Sequence, residues 1–546
     1  MKYKSLPRAH YVLFRAALTV ALIVAFGGLL PTPSAAANAT VSVNAAVTQG
    51  TFQTELNTQI IYPNILEDVP GGAARLSQYA PAKVRVILST DGAYVTSDHV
   101  HVPTLPAGWN LSERPGSCVA TFGYQVNNHC WDFTSLNLMV NDIYAAGARP
   151  ALDIGYMPDW LWNCSITGTA TPIANGWSLF GDYAARLVSY YNNGSFTAED
   201  GHVITNPAGT SRRVDTWELL NEPNFQTLAC LGPTGSGGGL PSLNTAQYLA
   251  MWNAVAPKMK AADPSIKLAG PATTDGVTGF SPDYLELVML SGSPKPDIAS
   301  FHGYGSYDEN DKDRCLFDGY ASGSGCAADG IVGLTSGLTQ VQAWAPGRPT
   351  WVTEINVLAS YGNDPKQRNW NALGAAWKAS AFVRLSKLGA SGLFHYSFIH
   401  PNGDQFSVID INTGARLLPF WVEYYLARDF PPGSTILSAS SSTTGVDTLA
   451  VRLTTGQINV LVANRQVANA SDVGGAGVPA TVQVNVAGLG AVSSLTLRQL
   501  DNSTPLATGP GTTLSPASNA NVSFSGYGAA ILEFATSGGS PTPTPT

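Results

Sequence analysis

Two glutamates in this sequence each close an apolar run that is typical of a β-strand. Glu222 lies between the run Val214–Leu220 and Pro223, and Glu354 lies near the end of the run Thr350–Asn356. Proline cannot continue a hydrogen-bonded ladder, so we expect Glu222 at the end of its strand. Two carboxyl groups about 5–5.5 Å apart suffice to hydrolyse a glycosidic bond with retention, because one protonates the leaving oxygen while the other attacks the anomeric carbon. A surface charge or an ion pair explains either glutamate alone, whereas the two together favour a catalytic site.

A third apolar run adds further candidates. The run Asp297–Phe301 is followed by His302 and Tyr304, which share one face of a strand. A tyrosine here can donate a hydrogen bond to a nucleophilic carboxylate and keep it ionised, and a histidine can orient that carboxylate or contact the substrate. Taken alone, such a histidine is more often a hydrogen-bonded core residue, but beside the two glutamates the functional role of His302 is favoured. Trp160 lies near a predicted loop and is a candidate for stacking on a sugar ring, although a tryptophan in a large barrel more often lies in the core or in a lid.

The arrangement of the predicted elements decides whether the two glutamates can meet. Between about Gln59 and Phe430, short apolar runs alternate with amphipathic stretches, which predicts an α/β fold. Eight runs favour a (β/α)8 barrel, in which strand ends converge at one rim; a doubly wound open sheet has the same alternation. The predicted strands are Thr58–Tyr62, Lys83–Ser89, Pro150–Tyr156, Val214–Leu220, Ile266–Ala269, Asp297–Phe301, Thr350–Thr353 and Gly392–Ser397. The predicted helices include Phe133–Ala146, Thr245–Ala262 and Ala375–Leu388.

A second type of pattern begins after Pro431. Residues 434–536 alternate with period two between Ser, Thr, Gly and Asn breaks, which predicts an additional C-terminal antiparallel β-sandwich domain that braces the barrel. The segment Thr40–Val47 alternates in the same way and is a candidate extra strand for that sandwich. The predicted organisation is therefore a signal peptide (1–37), an N-terminal strand (38–54), the barrel (55–433), the sandwich (434–536) and a Pro/Thr-rich tail (537–546).

The N-terminus has the layout of a secretory signal peptide. Positively charged residues precede the apolar stretch Ala16–Leu30, and the small residues Ser34–Ala37 follow it. A membrane anchor is the alternative, but the apolar stretch is shorter than the roughly 20 residues that a span needs. We therefore expect a secreted protein without a membrane partner after cleavage. The net charge of −8 argues against a nucleic-acid partner.

The cysteines fit an oxidising compartment. An even number of six in an exported chain favours disulfides, and the absence of a Cys-x-x-Cys pair makes a zinc site improbable. We expect neither a metal nor a cofactor. The simplest of the many possible pairings joins Cys118 to Cys130, Cys315 to Cys326 and Cys164 to Cys230.

Several segments, in order, resemble clan A glycoside hydrolases, most closely glycoside hydrolase family 39, which includes β-xylosidases. The resemblance spans roughly residues 55–430, and its most specific element is an Asn-Glu-Pro-Asn run paired with Thr-Glu-x-Asn. The matching segments are Trp131–Thr134, Ala146–Pro150, Ile154–Pro158, Trp217–Asn224, Lys267–Ala272, Asp297–Tyr304 and Thr353–Asn356. The resemblance implies a retaining enzyme with Glu222 as acid/base and Glu354 as nucleophile. It also implies that Asn221 binds the 2-hydroxyl of the substrate.

Two positions depart from the family pattern. The second strand of the family usually carries an Arg-x-His pair, and here Arg85 is followed by Val86 and Ile87. The eighth strand often carries a Tyr-Trp pair, and here His395 follows Phe394. Both positions line sugar subsites in the family, so Arg85 and His395 are substrate-binding candidates, and xylose does not follow as the substrate.

Three functions compete at this point. The leading hypothesis is a secreted retaining glycoside hydrolase acting on a plant or microbial polysaccharide or oligosaccharide. An endo-acting glycanase of the same clan is the first alternative, and the predicted loop Asp91–Trp131 is compatible with a closed pocket or an open cleft. A non-catalytic carbohydrate-binding surface protein is the alternative of another class, and the two glutamates argue against it.

Overall fold

A closed barrel of eight parallel strands forms the larger part of the protein. The computed structural model describes residues 37–61, 65–88, 131, 133–155, 157, 162–163, 171–172, 175–198, 201–225, 243–275, 281–319, 325–360, 364–400 and 405–536. A first strand, β1 (Ala37–Thr51), precedes the barrel. The barrel strands are β2 (Glu55–Ile60), β3 (Lys83–Ile87), β4 (Arg149–Ile154), β9 (Thr216–Leu219), β10 (Lys267–Thr273), β11 (Ile298–Ser306), β12 (Thr350–Leu358) and β13 (Gly392–Ile399).

These strands follow one another around the barrel in chain order, and β13 pairs with β2 to close it. Helices connect them on the outside, and two short hairpins lie between β4 and β9. The helices are α1 (Ile65–Asp68), α2 (Gly72–Tyr79), α3 (Thr134–Ala145), α4 (Gly176–Asn192), α5 (Thr245–Ala262), α6 (Ser281–Ser291), α7 (Asp313–Asp318), α8 (Gly330–Trp344), α9 (Ala372–Lys387) and α10 (Leu418–Asp429). The hairpin strands are β5 (Trp162–Asn163), β6 (Thr171–Pro172), β7 (Ser195–Thr197) and β8 (Val203–Thr205).

The predicted (β/α)8 barrel is therefore confirmed, and each predicted strand overlaps one barrel strand. Strand ends shift by a few residues because apolar runs mark burial better than they mark hydrogen-bonded ends. An apolar layer fills the barrel near the start of its strands, with Ala151, Ala269, Ile298, Trp351 and Phe394 packed together. Polar side chains lie above this layer, towards the carboxyl-terminal rim where (β/α)8 enzymes carry their reactive groups.

The second part is a nine-stranded sheet that curls around its own core. Besides β1, its strands are β14 (Thr435–Ser441), β15 (Val446–Arg452), β16 (Ile458–Asn464), β17 (Ala480–Ala487), β18 (Val492–Leu500), β19 (Thr512–Leu514), β20 (Asn519–Phe524) and β21 (Gly528–Thr536). Their order in the sheet is β19-β18-β21-β16-β15-β14-β1-β17-β20. The predicted sandwich differs in one respect: β1 pairs with β17 in parallel, with Val41 opposite Val484, so the sheet is not wholly antiparallel.

The sheet and the barrel share buried surface. On β16, Val460 and Val462 face the core of the sheet, whereas Leu461 and Ala463 belong to the same hydrophobic cluster as the barrel helices. The predicted alternation with period two therefore does not describe burial in β16, because this strand is buried on both faces.

The remaining predictions about chain organisation concern the disulfides, the signal peptide, one long loop and the C-terminal tail. Cys315 and Cys326 form a disulfide, whereas Cys118, Cys130, Cys164 and Cys230 lie outside the described residues. The predicted signal peptide up to residue 36, the loop after Asp91 and the Pro/Thr tail lie outside them as well. Within the described residues, no helix combines the length and the apolarity that crossing a bilayer requires.

Candidate active site

A sharp turn after β9 places Glu222 at the carboxyl-terminal rim. The amides of Leu220 and Asn221 still donate to carbonyl oxygens at the end of β4, whereas the amide of Glu222 donates to the carbonyl of Ala272 on β10 over 3.0 Å. Leu220 (φ 67°) and Glu222 (φ 48°) have left-handed backbone conformations, which are uncommon outside glycine. Contacts to both neighbouring strands hold this conformation, and strain of this kind often occurs at functional sites.

A β-bulge in β12 turns Glu354 into the barrel. The pairing between β11 and β12 shifts by one residue at Thr353, just before His302 pairs with Glu354. Strand alternation alone would put Glu354 on the opposite face from Trp351, whose side chain packs inside the barrel. The extra residue brings both side chains to the inner face, which is how bulges re-aim side chains near active sites.

The two glutamates meet at this rim. A carboxylate oxygen of Glu222 and one of Glu354 lie within 4.8 Å of each other, and His302 lies beside both. Nδ1 of His302 is 2.9 Å from Oε1 of Glu222 and 3.5 Å from Oε2 of Glu354. The side chain of Glu222 is 12% exposed and that of Glu354 is 7% exposed, so both are largely buried.

Opposing effects act on the pKa of His302. Burial lowers this pKa, but the negative charges of Glu354 and Glu222 raise it and prevail, so that it lies above its usual value. The 2.9 Å contact between His302 and Glu222 requires one hydrogen between the two atoms. The pair therefore holds a proton directly beside the second carboxylate.

Three hydrogen-bond donors fix Glu354. The hydroxyl of Tyr304 donates to Oε2 over 2.7 Å, while Nε2 of Gln59 and Nη1 of Arg85 each donate to Oε1 over 3.1 Å. Donors on both oxygens hold the carboxyl group in one orientation. This is the environment that a carboxylate nucleophile needs.

Arg85 organises the floor beneath the two glutamates. Its side chain is 1% exposed, and its Nε and Nη2 donate to Glu218 and Asp153 over 2.7 Å each. A third carboxylate, Glu354, accepts from Nη1. Burial alone would lower the pKa of Arg85, but these three negative charges raise it further above its already high value. One cation thus offsets part of the charge that the site concentrates in a buried place.

The remaining negative charge affects Asp153. Burial raises the pKa of this carboxyl group to about 7, and the charges of Glu218 and Glu354 add to the effect, against the attraction of Arg85. One oxygen of Asp153 is buried without a hydrogen-bond partner. Glu218, by contrast, also accepts a short hydrogen bond from Ser300.

Arg85 also orients Asn221. Nη2 of Arg85 donates to Oδ1 of Asn221 over 2.8 Å. A guanidinium has no acceptor, so the amide oxygen must face Arg85 and the amide nitrogen must face away from it. Asn221 directly precedes Glu222, and its NH2 group is thereby available as a hydrogen-bond donor for a ligand in the cleft.

His395 does not join this group. On β13, Phe394 points into the barrel and the ring of Tyr396 lies 6.3 Å from that of Tyr304. Alternation therefore turns His395 outwards, where its Nδ1 lies 2.8 Å from Nζ of Lys378 on α9. The same ring nitrogen is 3.4 Å from Glu423 on α10. We correct the prediction that His395 contacts substrate: it belongs to a buried cluster between the barrel and its helices.

Among the described residues, one set of three histidine or acidic side chains is close enough together to hold a metal ion. It consists of Glu222, His302 and Glu354. The donors already bound to Glu354 disfavour this role. Tyr304, Gln59 and Arg85 occupy three of the about four lone-pair sites of this carboxylate, and Arg85 is itself a cation. The arrangement instead suits proton transfer at one carboxyl group and nucleophilic attack by the other.

The structure thus brings together six of the eight predicted site residues: Arg85, Asn221, Glu222, His302, Tyr304 and Glu354. Trp160 lies outside the described residues. Sequence reasoning missed Gln59, Asp153, Glu218 and Ser300, which were hidden within apolar strand runs. A polar residue interrupting such a run is the signal that points to them, because buried polar groups need partners.

The comparisons with known proteins agree with this architecture. No protein-family model matches the sequence, and no curated protein matches it. Solved structures do match over almost their full length. A GH39 enzyme from Xanthomonas axonopodis pv. citri is 16% identical, with a TM-score of 0.60 over 93% of this chain and 99% of that chain.

Two further matches come from other bacteria. A monomeric β-xylosidase from Caulobacter crescentus CB15 is 14% identical, with a TM-score of 0.60 over 91% of this chain and 99% of that one. A glucosidase from Croceicoccus marinus is 15% identical, with a TM-score of 0.59 over 92% and 99%. At these identities the matches show a common fold, so the resemblance to clan A glycoside hydrolases is confirmed at the level of the fold.

Proposed function

We propose that this protein is a retaining glycoside hydrolase in which Glu222 is the acid/base and Glu354 is the nucleophile. The observation that carries the proposal is the separation of their carboxylate oxygens, within 4.8 Å. Retaining enzymes hold the two groups about 5–5.5 Å apart, whereas inverting enzymes leave about 6.5–9.5 Å for a water molecule. The common fold with solved glycosidases supports the same class of reaction.

The different surroundings of the two carboxyl groups support the assignment of roles. Glu354 accepts from three donors, one of them Arg85, and is therefore held in a fixed position for nucleophilic attack. Glu222 shares a proton with His302 and is the more exposed of the two. In the first step, the Glu222 proton passes to the glycosidic oxygen. A Glu354 oxygen bonds to the anomeric carbon, and the bond from that carbon to the leaving oxygen breaks.

The second step reverses the role of Glu222. Once Glu354 is esterified, its negative charge is gone, and the pKa of His302 falls because Glu354 is one of the charges that raise it. Glu222, now a carboxylate, takes a proton from water while the water oxygen attacks the anomeric carbon and releases Glu354. The hydroxyl group enters on the face that the leaving group occupied, so the configuration is retained.

Asn221 is the proposed donor to the substrate 2-hydroxyl, because Arg85 turns its amide nitrogen away from the guanidinium. Hydrogen bonds to that hydroxyl strengthen in the transition state of glycoside hydrolysis.

The substrate class is a plant or microbial oligosaccharide or polysaccharide, and we propose that the enzyme acts outside the cell. Sequencing the N-terminus of protein recovered from the culture medium tests this localisation, with cleavage near Ala36 or Ala37 as the expected result.

A panel of 4-nitrophenyl glycosides tests the activity. It includes the glucoside, the xyloside and the arabinofuranoside, because solved structures with the same fold are named as a glucosidase, a β-xylosidase and an arabinofuranosidase. We expect at least one substrate to be hydrolysed, and we expect Glu354→Gln to lower its kcat/KM by about 10³-fold or more with no change in folding. An inactive parent enzyme on all substrates would overturn the proposal, and parent-like turnover by Glu354→Gln would exclude Glu354 as the nucleophile.

The acid role of Glu222 has a separate test. An enzyme that lacks its proton donor loses the most activity on substrates with a poor leaving group, because such a group must be protonated in order to depart. We expect Glu222→Gln to lose far more activity on 4-nitrophenyl glycosides than on 2,4-dinitrophenyl glycosides of the same sugar. Equal losses on both would count against this role.

A further inference from the structure

Two exposed aromatic side chains lie on the rim that carries Glu222. Phe225 is 71% exposed and Tyr307 is 45% exposed, although most aromatic side chains in the described part of the chain are buried. Exposed aromatic groups on a cleft commonly serve as contact surfaces for ligands.

Both aromatic residues are tied to the segment around Glu222. The amide of Phe225 donates to the carbonyl of Glu222 over 2.9 Å. The hydroxyl of Tyr307, directly after β11, donates to the carbonyl of Thr274 over 3.4 Å. Thr274 in turn bonds to Asn224 in both directions, at 2.8 and 3.2 Å. Phe225 and Tyr307 are thus held on one continuous piece of the rim.

Negative charges affect the hydroxyl of Tyr307. Burial of the hydroxyl raises the pKa of Tyr307, and the charges of Asp275 and Glu222 raise it further. Carboxylates that accept hydrogen bonds, next to an aromatic ring, are the groups that bind a sugar: the ring contacts its C–H face and the carboxylate its hydroxyls.

The chemistry fixes which part of a substrate reaches these residues. The leaving oxygen must lie against Glu222, because this residue supplies its proton, and Glu354 must attack from the opposite face of the anomeric carbon. The leaving group therefore extends away from Glu354 and over the part of the rim that follows Glu222.

We propose that Phe225 and Tyr307 form the binding subsite for the leaving group, and that this leaving group is a sugar ring. The substrate is then an oligosaccharide or polysaccharide cleaved between two sugars rather than a glycoside of a small alcohol. This inference rests on the proposed function. Neither aromatic residue takes part in the chemical step, so their role is to bind the leaving sugar.

The experiment compares two substrates with the same glycone. The glycone is the sugar of the 4-nitrophenyl glycoside that the parent hydrolyses best. The first substrate is the fluoride of this sugar, and the second is a disaccharide in which this sugar is the glycone. Fluoride is a single atom that cannot reach the subsite. We expect Phe225→Ala and Tyr307→Ala each to lower kcat/KM about tenfold on the disaccharide that the parent cleaves best. On the fluoride, kcat/KM should stay within about twofold of the parent.

Matched variants separate the subsite from general damage. Tyr307→Phe keeps the ring and should behave like the parent within about twofold on both substrates. Leu290→Ala removes a side chain that is 58% exposed on the last turn of α6, away from the rim, and should leave both rates unchanged.

Two outcomes would overturn the proposal while leaving the proposed function intact. One is an unchanged kcat/KM on the disaccharide in both alanine variants, or equal losses on disaccharide and fluoride. The other is a parent enzyme that hydrolyses the fluoride but none of the disaccharides. A parent that is inactive on the 4-nitrophenyl panel and on the fluorides would instead refute the proposed function itself.

Discussion

The hydroxyl of Tyr304 donates to Oε2 of Glu354 over 2.7 Å, from one strand of the barrel to the next. Both residues are buried, so water competes little for this hydrogen bond. The contact holds one oxygen of the proposed nucleophile in place while Gln59 and Arg85 hold the other.

Removing this hydroxyl should reduce activity without unfolding the protein. A hydrogen bond to a charged group contributes about 1.5–3 kcal/mol, which corresponds to roughly 10- to 150-fold in rate. We expect Tyr304→Phe to lower kcat on a 4-nitrophenyl glycoside by about this factor, with a smaller change in KM. Steady-state kinetics and a thermal melt of each variant provide the measurement.

Tyr191→Phe is the matched control for this change. Its hydroxyl is also buried and donates to Asn137 over 3.2 Å, but it lies on α4, outside the barrel. The control should keep the parent kcat. A similar fall in kcat for both variants would mean that Tyr304 acts through stability alone.

Arg85 should not tolerate replacement by lysine. A lysine keeps the charge but has a single donor group, so it cannot reach Glu218, Asp153, Glu354 and Asn221 together. We expect Arg85→Lys to lower kcat/KM by about 10²-fold or more and to lower the free energy of unfolding by several kcal/mol. Kinetics and denaturant titration measure the two effects.

Arg465→Lys controls for the loss of a buried arginine. Arg465 pairs with Asp447 and Asp318 at 2.9 and 3.0 Å, and its side chain is 8% exposed. It lies in the region of the C-terminal sheet, so its replacement should affect unfolding but not kcat/KM. Parent-like kcat/KM in Arg85→Lys would show that the network around Arg85 is not needed for catalysis.

Asp153 should make stability depend on pH. Its pKa is about 7 in the folded protein and about 3.9 in an unfolded chain, so the folded state binds the extra proton between these values. Its stabilising contribution is complete below about pH 4 and is lost as the pH rises to about 7. The slope of the unfolding free energy against pH approaches that of one bound proton within this window.

Asp153→Asn should remove that slope. We expect the unfolding free energy of the parent, measured by denaturant titration from pH 5 to 7, to fall more steeply than that of the variant. Asp410→Asn is the control: hydrogen bonds from Thr413 lower the pKa of Asp410, so its contribution changes only below about pH 4. Parallel curves for the parent and Asp153→Asn would contradict the raised pKa of Asp153.

The barrel and the C-terminal sheet should unfold together. Leu461 of β16 is fully buried against the barrel helices, so Leu461→Ala should cost about 2–5 kcal/mol. We expect one transition by both far-UV circular dichroism and tryptophan fluorescence, shifted equally in both signals. Leu506→Ala, at a side chain that is 40% exposed, should change stability by less than about 0.5 kcal/mol. Two separate transitions would contradict a common core.

The sequence predicts the barrel and the two glutamates because each depends on local pattern. An apolar run followed by Asn-Glu-Pro identifies both the strand and its end at Glu222. The inward direction of Glu354 could not be predicted in this way, because it depends on the one-residue bulge at Thr353. Alternation from Trp351 alone would have turned this glutamate outwards.

The partners of Arg85 show a second limit. Gln59, Asp153 and Glu218 lie on three different strands, and only the register and closure of the barrel bring them to one guanidinium. His395 was a different case, since the alternation of Phe394 and Tyr396 already assigns it to the outer face. For that residue, the strand pattern was a better guide than the family resemblance.

The product that Glu354→Ala forms with azide tests the central claim most directly. Azide can enter the space left by the carboxylate and attack the anomeric carbon from that side of the substrate. With a 2,4-dinitrophenyl glycoside, we predict a glycosyl azide of inverted configuration from Glu354→Ala and one of retained configuration from Glu222→Ala, as read by NMR. A Glu354→Ala variant that gives no azide product, or gives one of retained configuration, would contradict the assignment of Glu354 as the nucleophile.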